Sequence, residues 1–99
     1  MENIIAGKSY AFAIRIVNLY KHLSNAKKEY VLSKQLLSSG TAIGALVKEA
    51  EHAQSKAYFL NKMNIALKEA NETEYWLMLL KDTGFLTEQE FGSMKEDCL

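Results

Sequence analysis

The chain has 99 residues with 12 Lys+Arg against 12 Asp+Glu, so its net charge is zero and it lacks the basic excess of a free-standing nucleic-acid binder. It is long enough for one domain with one core, and its apolar runs fall far short of the roughly 18 residues that span a bilayer. Cys98 is the only cysteine, which excludes an intrachain disulfide and fits a reducing compartment, and there is no proline. Proline breaks helix interiors, so its absence suits an almost wholly helical chain with short loops.

Met1 to Lys8 reads as an irregular lead, without the basic and apolar regions of a signal peptide. The expected location is therefore the cytoplasm. Ser9 is placed to cap a first helix that runs to about Ser24, residues 9–24. Phe12, Ile16, Leu19 and Leu23 share one face of it, with Ala13, Val17 and Tyr20 alongside. Ser24 to Lys28 is polar and reads as a loop.

A second helix is expected over 29–52, with Leu32, Leu36, Ser39, Ile43, Leu46 and Ala50 inward. Gly40 and Gly44 lie on one face of it. Each glycine costs a helix interior roughly 0.8–1 kcal/mol relative to alanine, so close approach by a neighbouring helix is expected to offset them. A continuous helix to Leu80 would be about 75 Å long, so a break is placed at Ala53-Gln54-Ser55, with Ser55 capping a third helix over 55–82.

That third helix is the widest apolar element. Phe59, Met63, Ala66, Ala70, Thr73, Leu77 and Leu80 form a core row. Beside it run Tyr58, Ile65, Glu72, Trp76 and Leu79, then Leu60, Leu67 and Met78. Apolar groups thus cover more than half the circumference, more than three neighbours in a small bundle cover easily. Tyr58, Leu60, Leu67, Glu69, Glu72, Trp76 and Met78 are accordingly the candidate subunit interface. Gly84 supplies a left-handed stop. Thr87 and Glu90 form a capping box, with Leu86 and Phe91 placed for the hydrophobic staple, opening a short fourth helix over 88–98 with Phe91, Met94 and Cys98 inward. The expected fold is all-α, a single antiparallel up-down-up-down four-helix bundle.

No catalytic, cofactor or metal set converges. Glu49-Ala50-Glu51-His52 has the Glu-x-x-His spacing of di-iron bundles, but the partner motif and two further glutamates are missing, and a solvated helix end explains it more simply. Cys98 has no histidine near it in sequence, and neither a nucleophile elbow nor a phosphate-cradling loop occurs. Glu69, Glu72 and Glu74 could form ion pairs within the helix or with a neighbouring subunit, stand solvated, or make an acidic site. Arg15, Lys34, Lys48 and Lys56 form a thin candidate strip for nucleic acid, or a solvated or intersubunit face. Tyr75 and Trp76 could stack bases, although packing in a core or interface suits an apolar helix better.

The second and third helices resemble the bacterial 23S rRNA intervening-sequence proteins. The resemblance rests on Gln35-Leu36, Gly40-Thr41-Ala42-Ile43-Gly44-Ala45, Glu49-Ala50, Ala53-Gln54-Ser55-Lys56-Ala57 and the run from Ile65 to Leu80. It covers about half the chain. It implies a left-turning antiparallel bundle that assembles into a homo-oligomeric ring, commonly a pentamer, without a firmly assigned activity. It also implies RNA as a partner, since many genes of the family lie inside insertions in the ribosomal RNA gene, or a nucleic-acid-processing protein, since a related branch assists the reverse transcriptase of diversity-generating retroelements. In this chain Ser38, Leu46 and Tyr58 stand where the family often has arginine, asparagine and an acidic residue.

Overall fold

Local capping chemistry sets most of the helix ends. The structure, a computed structural model, describes residues 4–98. It contains α1 (Ile4–Asn25), α2 (Leu32–Glu51), α3 (Lys56–Asp82) and α4 (Glu88–Cys98). Ser55 is extended, at φ −142° and ψ 157°, and its hydroxyl accepts the Tyr58 N–H at 3.1 Å, opening α3 as expected. Gly84 takes φ +89°. Around it the Phe85 N–H reaches the Leu80 carbonyl at 2.8 Å and the Gly84 N–H reaches Lys81 at 3.1 Å, the two bonds of a Schellman stop. Thr87 and Glu90 exchange hydrogen bonds, Thr87 N–H to the Glu90 carboxylate at 2.8 Å and Glu90 N–H to the Thr87 hydroxyl at 3.0 Å. Leu86 and Phe91 are both buried beneath this box in the common core.

Two starts differ from the sequence expectation. α1 is already helical at Ile4, so Ser9 caps nothing; Met1 to Asn3 lie outside the described residues. Ser9 sits buried in the helix, and its hydroxyl donates back to the Ala6 carbonyl at 3.1 Å. This back-bonding lets a serine sit inside a helix as readily as at its start. α2 begins at Leu32 rather than Glu29, and ends one residue earlier than expected, with His52 as its C-cap. Glu29 stands before the helix with its carboxylate accepting N–H groups from Val31, Leu32 and Ser33 at 3.2, 2.8 and 2.7 Å. The Ser33 hydroxyl donates to the Glu29 carbonyl at 2.8 Å. Partial burial pushes the Glu29 carboxyl up, but these hydrogen bonds outweigh it and hold the group below its ordinary range.

α1 packs on α2, α2 on α3, α3 on α4, and α4 closes on α1. Short connections make each successive pair antiparallel. Glu49 reaches Lys62 near the α2–α3 turn, whereas Ser39, far back on α2, lies 3.0 Å from Thr73, far along α3. The glycines explain how α1 and α2 approach. A Cβ on Gly40 would fall 2.7–2.9 Å from the side chain of fully buried Ile16, and one on Gly44 would fall 3.3 Å from the Ser9 carbonyl. The close neighbour anticipated from their spacing is therefore α1.

The core joins Phe12, Ile16 and Leu23 of α1 with Leu36, Leu77 and Leu80 and with Leu86, Phe91 and Met94. The core row of α3 is buried at Ala66, Thr73, Leu77 and Leu80, but Phe59 at its foot is 41% exposed. Helix length accounts for this. The 27 residues of α3 span about 40 Å and the 11 of α4 only about 16 Å. Below α4 the space between α1 and α3 is therefore an open groove of about 500 Å³, whose lining includes Ile5, Phe12, Ile43, Val47, Met63 and Leu67. Among the described residues no helix is long and apolar enough to cross a membrane.

Candidate interaction faces

The accessible apolar surface of α3 lies where helical spacing places it. Leu60, Leu67 and Met78 share one flank of the core row, where Leu67 lines the groove, and are exposed, Leu67 to 62%. Tyr75, not among the candidate interface residues, is exposed beside them. On the adjoining row Tyr58 is exposed, while Ile65, Trp76 and Leu79 are half-buried. Trp76 packs against the core, with the Tyr75 ring edge-on to it at 5.0 Å. It thus serves the subunit's own packing and offers only part of its indole to a partner.

Glu69 and Glu72 are neighbours on that row. Partial burial, followed by the charge of Glu72 and a hydrogen bond with it, raises the Glu69 carboxyl above its ordinary range; Lys68 offsets this only in part. Among the described residues no lysine or arginine closes an ion pair with either carboxylate.

Of the four basic candidates, one is already engaged. Arg15 is committed: its guanidinium pairs with Asp97 and donates to the Ser93 hydroxyl at 2.9 Å, tying α1 to α4. Lys34, Lys48 and Lys56 are exposed and lack an anionic partner among the described residues. Lys48 lines an open hollow at the α2–α3 turn with Ala45, Glu49, His52, Gln54, Ser55 and Tyr58. Sequence reasoning missed how that hollow is built. Lys62 reaches across from α3 to Glu49 at 2.8 Å, with its ammonium 5.2 Å from the centre of the Tyr58 ring. The hydrogen bond it donates to Glu49 raises the Lys62 ammonium above its ordinary range despite some desolvation. Glu49 is thereby engaged with a cation, His52 is exposed, and no three metal-binding side chains converge among the described residues.

Cys98 is half-buried at the end of α4, with its sulfur 3.6 Å from the Ala70 carbonyl. Burial, aided by the charge of Glu74, pushes its thiol up to about 11. At neutral pH it is protonated and inert, the reverse of an activated nucleophile.

A further apolar row went unnoticed in the sequence although its signal was present. Tyr10, Ile14, Val17 and Lys21 follow a 4-3-4 spacing on α1. Tyr10 and Ile14 are 69% and 47% exposed.

These elements define a short-loop antiparallel four-helix bundle whose accessible features are helix faces. The chain belongs to the family of the 23S rRNA-intervening sequence proteins, whose model matches residues 1–99. A solved structure from Bacteroides thetaiotaomicron, a protein of unknown function from the S23 ribosomal protein family, is similar at 59% identity and a TM-score of 0.94. The match covers 96% of this chain and 88% of that one. None of the functionally curated proteins matches the chain.

Proposed function

We propose that this chain is a non-enzymatic assembly module that works as a cytoplasmic homo-oligomeric ring, with five copies favoured by the family resemblance. The observation that carries the reading is the exposed apolar surface of α3, where Leu60, Leu67, Tyr75 and Met78 are each between 43% and 62% exposed. Single exposed apolar residues are ordinary on a soluble protein, but a cluster along one helix marks an association surface. Light scattering behind size exclusion tests it. The expected mass is a multiple of 11.2 kDa that persists on dilution, and a stable monomer at micromolar concentration refutes the ring.

A second reading makes the assembled ring an accessory that contacts RNA or a nucleic-acid-processing protein. Lys34, Lys48 and Lys56, exposed and without anionic partners among the described residues, favour it. Three lysines are a thin patch on one copy, but symmetry multiplies them. Titration against structured ribosomal RNA at several salt concentrations separates the readings. Salt-dependent binding supports contact, and its absence below about 10 µM rejects it.

A further inference from the structure

The partly exposed rows of α1 and α3 differ in charge in a way that bears on how copies of this chain would meet, if they assemble as proposed above. α1 from Ile4 to Asn25 contains no aspartate or glutamate and carries Lys8, Arg15 and Lys21. Arg15 is taken by Asp97, which leaves the two lysines without an anionic partner among the described residues. Lys21 lies on the same face as Tyr10, Ile14 and Val17. The α3 row has the opposite character: Tyr58, Ile65, Trp76 and Leu79 flank Glu69 and Glu72, the one cation on the row, Lys62, is taken by Glu49, and neighbouring Lys68 offsets Glu69 only in part.

A twofold contact between two α3 rows with its axis between Glu69 and Glu72 would set these carboxylates against their own copies. A twofold contact between two α1 rows with its axis near Lys21 would do the same with that lysine. Like charges brought together across an interface oppose binding, whereas α1 set against α3 brings cation to anion. The spacings also agree. Ile14 to Lys21 and Ile65 to Glu72 each span seven positions, so an Ile14 seated on Ile65 brings Lys21 to Glu72. In an antiparallel bundle α1 and α3 run in the same direction, so copies rotated about an axis along the bundle present these two helices to each other in parallel.

We propose that copies of this chain associate heterologously, the α1 row Tyr10–Ile14–Val17–Lys21 of one seating on the α3 row Tyr58–Ile65–Glu69–Glu72–Trp76 of the next, with Lys21 meeting the two glutamates. The two surfaces are different, so the contact leaves a free face on each outer copy. It continues from copy to copy until rotation closes a ring.

The test compares the full chain with Lys21→Glu, Glu72→Lys, and the double variant Glu69→Lys with Glu72→Lys, by light scattering at matched concentrations. Circular dichroism checks that each remains helical. Lys21 and Glu72 are both exposed, so those two single variants keep the fold intact. Each variant alone is expected to weaken association at least about tenfold. Mixing Lys21→Glu with either glutamate variant is expected to recover association, because a reversed α1 then meets a reversed α3. If the wild-type chain assembles but folded variants assemble equally well, or the mixture is no larger than its parts, this docking is overturned and the ring reading stands. A monomeric wild-type chain overturns both.

Discussion

Removing the Glu29 carboxylate should expose how much of the α1–α2 corner rests on one side chain. Glu29→Ala deletes the acceptor for three backbone N–H groups at the start of α2. Val31 is exposed and water can replace its partner, but Ser33 is fully buried and its N–H would be left without one. Losing a helix cap costs roughly 0.5–2 kcal/mol, and a hydrogen bond to a charged group is worth roughly 1.5–3 kcal/mol. With the Ser33 hydroxyl still bound to the residue 29 carbonyl, a loss of about 2 kcal/mol is expected at pH 7, a fall in Tm of roughly 10 °C for a domain of this size. The Glu29 carboxyl is held below its ordinary value of 4.5 in the folded state. Its contribution is therefore complete above the unfolded value and is lost as pH falls through the folded one. Urea unfolding of wild type and variant at fixed protein concentration, from pH 7 to pH 3, should show the gap between them narrowing on the acid side. Glu29→Gln, which cannot titrate, should be destabilised at pH 7 and insensitive over that range relative to Glu29→Ala. A difference below about 0.5 kcal/mol at pH 7, or one independent of pH, would refute the capping account.

Glycine substitutions should act in opposite directions. Gly40→Ala gains helix propensity but drives a methyl group into buried, β-branched Ile16, so a net loss of about 1 kcal/mol is expected in chemical denaturation. Gly92→Ala on α4 meets nothing within 4 Å and should gain roughly 0.5–1 kcal/mol. A stabilising Gly40→Ala would contradict the close approach of α1 and α2. The Cys98 thiol, pushed up to about 11, should react with iodoacetamide at pH 8 on the order of a hundredfold more slowly than a free cysteine peptide. Mass spectrometry reads the rate, and a rate within tenfold of the peptide would show that burial does not protect it.

How much of this was legible in sequence follows the range of each interaction. Ser55, Gly84 and the Thr87–Glu90 box act within a few residues, and each helix end they mark lies where sequence placed it to within a residue. The start of α2 was misplaced because a glutamate is both a good helix former and an acceptor for N–H groups ahead of it, and composition does not separate the roles. Ser9 failed in the same way, since its hydroxyl is satisfied by the preceding turn. The candidate faces were legible as rows but not as environments. Helical spacing located Leu60, Leu67 and Met78, and no spacing rule could show that Arg15 is held by Asp97, 82 positions away. The exposure of Phe59 likewise depends on the length of a helix that begins 29 positions later.

The disparity between α3 and α4 gives the molecule two ends of unequal resistance to opening. Near the α3–α4 turn, four helices enclose Leu77, Leu80 and Phe91. At the other end the first turns of α1 and α3 and the last of α2 have three helices and a groove. Local opening needs less energy where fewer apolar contacts break. Amide hydrogens of α3 should therefore exchange along a gradient, fastest near Phe59 and slowest near Leu77, with the foot of the bundle opening many times before the whole chain unfolds. A partner that fills the groove would flatten that gradient, so exchange along this single helix reports on occupancy of the groove.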